Sequence, residues 1–113
     1  MPRAKYEISY LPVAENDLAD IVAYIAVELA APEAANRLLD KIGAAVERLG
    51  IFPFAHPVYH SNVDTRPFEF RVRVVDSYIV LYYVTDRTVT VARILYAGRD
   101  IGAILEKNDT RPL

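Results

Sequence analysis

Two apolar stripes at helical spacing, joined by only about three residues, constrain this chain more than any other feature. From Val13 to about Leu29 the apolar positions are Ala14, Leu18, Ile21, Val22, Ile25 and Leu29. Steps of three and four place them on one side of a helix. Pro12 suits the first turn, where a missing N–H costs nothing, although Leu11 is a weak cap. Glu15, Asp17 and Asp20 put negative charge near the positive end of the helix dipole. A second stripe opens at Pro32-Glu33 and runs through Ala35, Leu38, Leu39, Ile42, Ala45, Val46 and Leu49. Gly50 ends it, and Pro53 forbids a restart. Helices so closely linked run antiparallel. The resulting hairpin has an apolar side that needs a cover.

The remaining residues supply strands for that cover. Lys5 to Tyr10 alternates, with Tyr6, Ile8 and Tyr10 on one side. Residues 51–67 break every period with three prolines and two histidines, and read as an irregular loop. Glu69 to Val75 alternates, placing Phe70, Val72 and Val74 opposite Glu69, Arg71 and Arg73. Tyr78 to Val84 is apolar on both sides, as a central strand is, and Thr88 to Tyr96 is the last strand. Asp76-Ser77 and Thr85-Asp86-Arg87 are short turns, so the three strands form an antiparallel meander. Asp100 before Ile101, Ile104 and Leu105 predicts a short closing helix. The expected fold is α+β: an N-terminal strand, then an antiparallel helical hairpin packed on a C-terminal three-stranded antiparallel meander. One domain is expected over residues 1–113, with a core at about 5–105 and a flexible tail at 106–113.

A hydrophobic fraction of 53% and a charged fraction of 25% exclude a disordered chain. The absence of cysteine excludes disulfides, thiolate zinc sites and cysteine nucleophiles. Residues 1–6 carry charge with no apolar stretch behind it, so no secretory leader is expected. The densest apolar run, Tyr78 to Val84, is far short of the roughly 20 residues that span a bilayer. The expected setting is the cytoplasm, away from membranes. The net charge of −2 is polarised. Residues 1–50 hold five basic and eight acidic side chains, whereas residues 66–99 hold six arginines and three acids. A local basic patch is possible on these numbers; a whole-molecule nucleic-acid footprint is not.

Arg71 and Arg73 lie on the polar side of the first meander strand, Arg93 lies in an otherwise apolar strand, and Arg99 follows closely. Guanidinium forks at these positions suit phosphates or carboxylates. The competing reading pairs them with Glu69, Asp76 or Asp100 at the sheet surface. Tyr96 is either a proton donor or stacking group, or an aromatic that closes the core. His56 and His60 are four apart, but Pro57 defeats the shared helix face that a zinc pair needs. No metal or other cofactor is expected, because no phosphate-binding or nucleophile motif occurs. Glu15, Asp17, Asp20, Glu28, Asp40 and Glu47 read as solvated. Eight tyrosines and four phenylalanines are too many for two helices to hide. Exposed apolar surface is therefore expected on the sheet side opposite the helices, as a partner site.

Phe70-Arg71-Val72-Arg73-Val74-Val75-Asp76-Ser77-Tyr78-Ile79-Val80-Leu81-Tyr82-Tyr83-Val84 resembles the middle of RelE/ParE-superfamily toxins. So do Val91 to Asp100, the pattern Ala-x-x-Asp-Leu-x-x-Ile-x-x-Tyr-Ile at 14–25, and the Leu49-x-x-x-Pro53 end of the second helix. The likeness covers about residues 5–105. It implies the toxin of a bacterial type II toxin–antitoxin module, of the kind also described as plasmid stabilisation proteins, which inhibits growth until a small antitoxin encoded beside it wraps and neutralises it. ParE-type members poison DNA gyrase by protein contact. RelE-type members cleave mRNA on the ribosome with basic residues and a late tyrosine or histidine, for which Arg71, Arg73, Arg93 and Tyr96 are the candidates here. Only Lys5, Lys41 and Lys107 occur, so no lysine cluster flanks those residues, and the Arg-Ile-Leu-Tyr-x-x-Arg-Asp ending looks closer to the ParE branch. Arg71, Arg73, Tyr78, Arg93, Tyr96 and Arg99 are the candidates for target or antitoxin contact. A member that only binds antitoxin is the third option. Whether the protein is an enzyme depends on the branch, and its oligomeric state is open, a homodimer included.

Overall fold

In a computed structural model, which describes residues 5–60 and 66–107, the elements follow the expected order. Strand β1 (Glu7–Tyr10) leads into helix α1 (Pro12–Ala23). A π-helical turn at Tyr24–Glu28 completes that helix, and α2 (Pro32–Leu49) returns antiparallel to it. Strands β2 (Arg71–Val75), β3 (Tyr78–Thr85) and β4 (Thr88–Tyr96) form the meander, and α3 (Ile101–Lys107) closes the described chain. Residues 108–113, most of the expected tail, lie outside the described residues, while Glu106 and Lys107 end α3. Both long helices carry proline in the first turn. Asp100 caps α3, its carboxylate accepting from the Ala103 N–H at 3.1 Å. The two hairpin turns each place aspartate at positive φ, 53° at Asp76 and 49° at Asp86. Aspartate tolerates that region better than most side chains do.

The sheet order is β1-β4-β3-β2, and β1 joins β4 in parallel, so the sheet is mixed. Gly50 lies close against the start of β1. Tyr6 donates its N–H to the Gly50 carbonyl at 2.8 Å, and a Cβ on Gly50 would sit 3.1 Å from the Tyr6 carbonyl oxygen. Beyond Val91 no strand among the described residues flanks the outer edge of β4; Leu11 donates its N–H to the Val91 carbonyl and α1 takes over. In the β3–β4 ladder Leu81 pairs Arg93 while Tyr82 pairs Val91, so Ala92 is the extra residue of a bulge. The bulge changes the phase of β4. Val89 and Val91 face the helices on one side of it, and Ile94 does so on the other.

The helices cover one face of the sheet. Ala14, Leu38, Ile42, Ala45 and Val46 pack on Val75, Val80, Val91 and Ile94. Leu49 packs on Tyr82 and Val89. Two stripe positions stay out: Leu29 is more than half exposed and Leu39 is 39% exposed.

The opposite face overturns an expectation. It is not left open, because the chain folds back over it twice. Ile101, Ile104 and Leu105 of α3 cover Ile79, Leu81, Ala92 and Leu95, while Leu11, Tyr59, Phe68 and Phe70 surround Tyr83. The Phe68 ring lies 4.3 Å from that of Tyr83, and Phe70 meets it edge-on at 5.5 Å. Strand β2 contributes Val72 to this layer, whereas Val74 is 53% exposed. The aromatic surplus is spent on a third layer within the chain, since burial of such rings is strongly favourable. Among the described residues no helix is long and apolar enough to cross a membrane.

Candidate functional site

The last turn of α2, the loop after it and the edge strand β2 meet at one corner, on the helix side of the sheet. Proline and irregular backbone at residues 51–57 hold the loop there through two side chains. Tyr82, fully buried on β3, donates its hydroxyl to the Pro53 carbonyl at 2.8 Å. Burial pushes that phenol up to about 12, against the opposing pull of Arg71 and Arg73. Arg71 donates to the His56 carbonyl at 2.8 Å, reaches the Glu69 carboxylate at 3.4 Å, and stacks over Phe54 with its guanidinium 5.2 Å from the ring centre.

Arg73, two residues along the same side of β2, donates to the Val74 carbonyl. With Arg48, Phe52, Ala55 and His56 it lines an open cavity of about 470 Å³. The Arg48 guanidinium lies 5.6 Å from the Phe52 ring centre. Burial, and after it the Arg73 charge, holds the His56 imidazole below its usual pKa, so the ring is neutral at pH 7. Among the described residues neither Arg48 nor Arg73 has a carboxylate within ion-pair distance.

Arg93 stands apart from this corner. It is buried, and Asp17 of α1 holds it with two hydrogen bonds, 2.7 Å from Nε and 2.9 Å from Nη2. The same carboxylate accepts the Ile94 N–H at 3.0 Å, capping the edge of β4 that β1 leaves bare. Asp17 is therefore not the solvated residue that the sequence suggested. It terminates a sheet and neutralises a cation at once, whereas a free carboxylate at that edge would leave both unpaired.

The other candidates sit elsewhere. Tyr96 and Tyr78 face each other across the end of the β3–β4 ladder, rings edge-on at 5.9 Å. Arg99 is exposed in the turn that follows. The six sequence candidates thus fall into three places: Arg71 with Arg73, Arg93 with Asp17, and the Tyr78–Tyr96–Arg99 end. The corner adds Arg48, His56, Phe52 and Phe54. Of these, Arg48 carries no sequence signal beyond a cation in a helix's last turn, and the spacing of His56 bears only on metal ligation. Among the described residues no group of three or more histidines and carboxylates comes together.

A second feature is apolar. Tyr10, Leu18, Ala19, Val22, Ala23 and Leu39 line a groove of about 590 Å³ on the hairpin, with Glu15 among its lining residues. At the hairpin tip Tyr24, Val27 and Leu29 are each more than half exposed. Exposed apolar surface is therefore concentrated on the helical hairpin, with Val74 and Tyr96 exposed on the sheet.

A helical hairpin on a four-stranded sheet, with arginines on its edge strand and an apolar groove on its helices, places the protein in the α+β class. The sequence matches the family model for the ParE toxin of the type II toxin–antitoxin system parDE over residues 8–101, and the chain belongs to that family. Among solved structures, a chain of the chromosomal ParDE toxin–antitoxin system from P. aeruginosa superposes with a TM-score of 0.66 at 19% identity. The match covers 82% of this chain and 97% of that one, and at this identity it shows a shared fold. No curated protein matches the sequence.

Proposed function

We propose that this ParE-family toxin acts in the cytoplasm by protein contact on DNA gyrase, and that a cognate antitoxin neutralises it by laying an apolar segment into the hairpin groove. The observation that carries the reading is the groove itself. Its lining is almost wholly apolar, Leu39 is 39% exposed beside it, and the hairpin tip extends the same surface. Exposed apolar surface of this kind is typical of partner sites. Contact rather than chemistry is supported by Arg93, whose charge is already neutralised by Asp17.

The test is a supercoiling assay with purified gyrase. Inhibited supercoiling with accumulation of linear plasmid is expected, relieved by the antitoxin encoded beside the gene. The ribonuclease reading rests on one observation, the meeting of Arg71 and Arg73 with Arg48 and His56. It predicts in-frame mRNA cuts in a translating extract, with gyrase untouched. Induction without antitoxin that leaves growth unchanged would sink both and leave a member that only binds antitoxin.

A further inference from the structure

Gly43 sits in the interior of α2, and nothing within the chain accounts for it. Its φ is not positive, and a Cβ built on it would meet no atom within 4 Å. Neither the backbone nor a neighbour requires glycine there. Glycine inside a helix is nonetheless disfavoured against alanine by about fourfold in the folding equilibrium. Leu39, Gly43 and Glu47 follow one another at one-turn intervals along a single line of α2. Leu39 lines the apolar groove, and so does Tyr10, whose phenol is raised above its usual pKa by burial and then by the Glu47 charge. Gly43 is therefore a gap in the α2 wall of that groove, between Leu39 and the end where Tyr10 and Glu15 line it.

We propose that Gly43 and Glu15 determine which helix the groove accepts. The partner is an amphipathic helix of the antitoxin with one bulky apolar side chain, which enters the gap over Gly43. A lysine or arginine about one turn away on that helix meets Glu15. The proposal rests on the groove reading given above and adds the identity of what must fill it. Charge complementarity selects this occupant. Glu15 is exposed and has no ion pair among the described residues, while Glu47 reaches Lys5 at 3.7 Å. A second copy of this chain docked on the same face would bring the same carboxylates together, and like charges in an interface are repulsive.

The two residues act on different rates. An exposed charge steers encounter, whereas a filled gap holds the bound state. Biolayer interferometry with the full chain and the purified protein of the short reading frame beside the gene separates them. Gly43→Leu should speed dissociation by about tenfold, because added methylenes overpack a filled gap, and Gly43→Ala should act in the same direction but less. Glu15→Lys should slow association by about tenfold, and Glu15→Gln should flatten its salt dependence. In urea, Gly43→Ala should raise the folding equilibrium constant by about fourfold, a gain that a structural glycine would not give. Ala44→Leu is the control. It adds bulk to an exposed position about 100° round the helix and should change neither rate. Lost stability in Gly43→Ala, or unchanged dissociation of Gly43→Leu while Leu39→Asp abolishes capture, would overturn the role of Gly43 and leave the groove reading standing. Unchanged association of Glu15→Lys would overturn the role of Glu15. Capture that survives Leu39→Asp as well would overturn the groove reading and this inference together.

Discussion

Asp17 accepts three hydrogen bonds, two from the Arg93 guanidinium and one from the Ile94 amide. Both side chains are nearly buried, 9% and 14% exposed, so neither can recover water when its partner is lost. Removing one member of such a pair strands the other, at a cost of about 3–5 kcal/mol. Arg93→Ala should therefore lose that much in urea unfolding. Asp17→Asn with Arg93→Met together should lose clearly less than the two single losses added, because no bare charge remains. Additive losses would mean that the pair is not coupled. Tyr82 makes a second prediction at this scale. Its folded pKa is raised from 10.0 to about 12. The folded state therefore holds the proton where the unfolded chain releases it. The sign follows: stability is unaffected by this group below about pH 10, falls between about 10 and 12, and is lower by about 2–3 kcal/mol above that. Tyr82→Phe should abolish this alkaline loss, while costing about 1 kcal/mol at neutral pH through the orphaned Pro53 carbonyl.

At the scale of elements, α2 shows how neighbouring residues part company. Leu38 is 6% exposed and sits in the core against the sheet, whereas Leu39 is 39% exposed and lines the groove. Leu38→Asp should unfold the hairpin, and Leu18→Asp on α1 should weaken the same seam, because a charge enters apolar packing. Leu39→Asp should leave the far-ultraviolet circular dichroism and melting temperature nearly unchanged and abolish antitoxin capture in a pull-down. Equal destabilisation by Leu38→Asp and Leu39→Asp would show that the helix is rotated from this arrangement. Periodicity placed both leucines on one stripe. It could not separate them, since a stripe wide enough for seven apolar residues exceeds what one sheet contact covers.

At the scale of the whole molecule the chain forms three layers: helices, sheet, and a cover made by α3 with residues from the loops. That cover rests on few anchors. Ile104 is 8% exposed and joins Ile79 and Leu95. Ile104→Asp should detach it, lower stability by about 2–4 kcal/mol, and raise binding of an apolar dye as the second face opens. An unchanged dye signal would mean that the face stays closed by other means. Covering this face also moves the partner surface. Twelve aromatic residues implied apolar excess somewhere. The composition held no information on where, because closing the second face depends on residues 59, 68 and 101–105 returning to it across the sheet.

The element order, both proline-opened helices, the meander with its aspartate turns and the closing helix after Asp100 are legible in the residue pattern alone. Each of these rests on local spacing, which a helix or hairpin reads without help from distant residues. The parallel placement of β1 beside β4, the bulge at Ala92, the pairing of Arg93 with Asp17, and the meeting of Arg48 and His56 with Arg73 emerge only in the folded chain. The physical reason is range. Asp17 and Arg93 are 76 residues apart, and no periodicity records which carboxylate a buried guanidinium finds once the sheet edge runs out of strands.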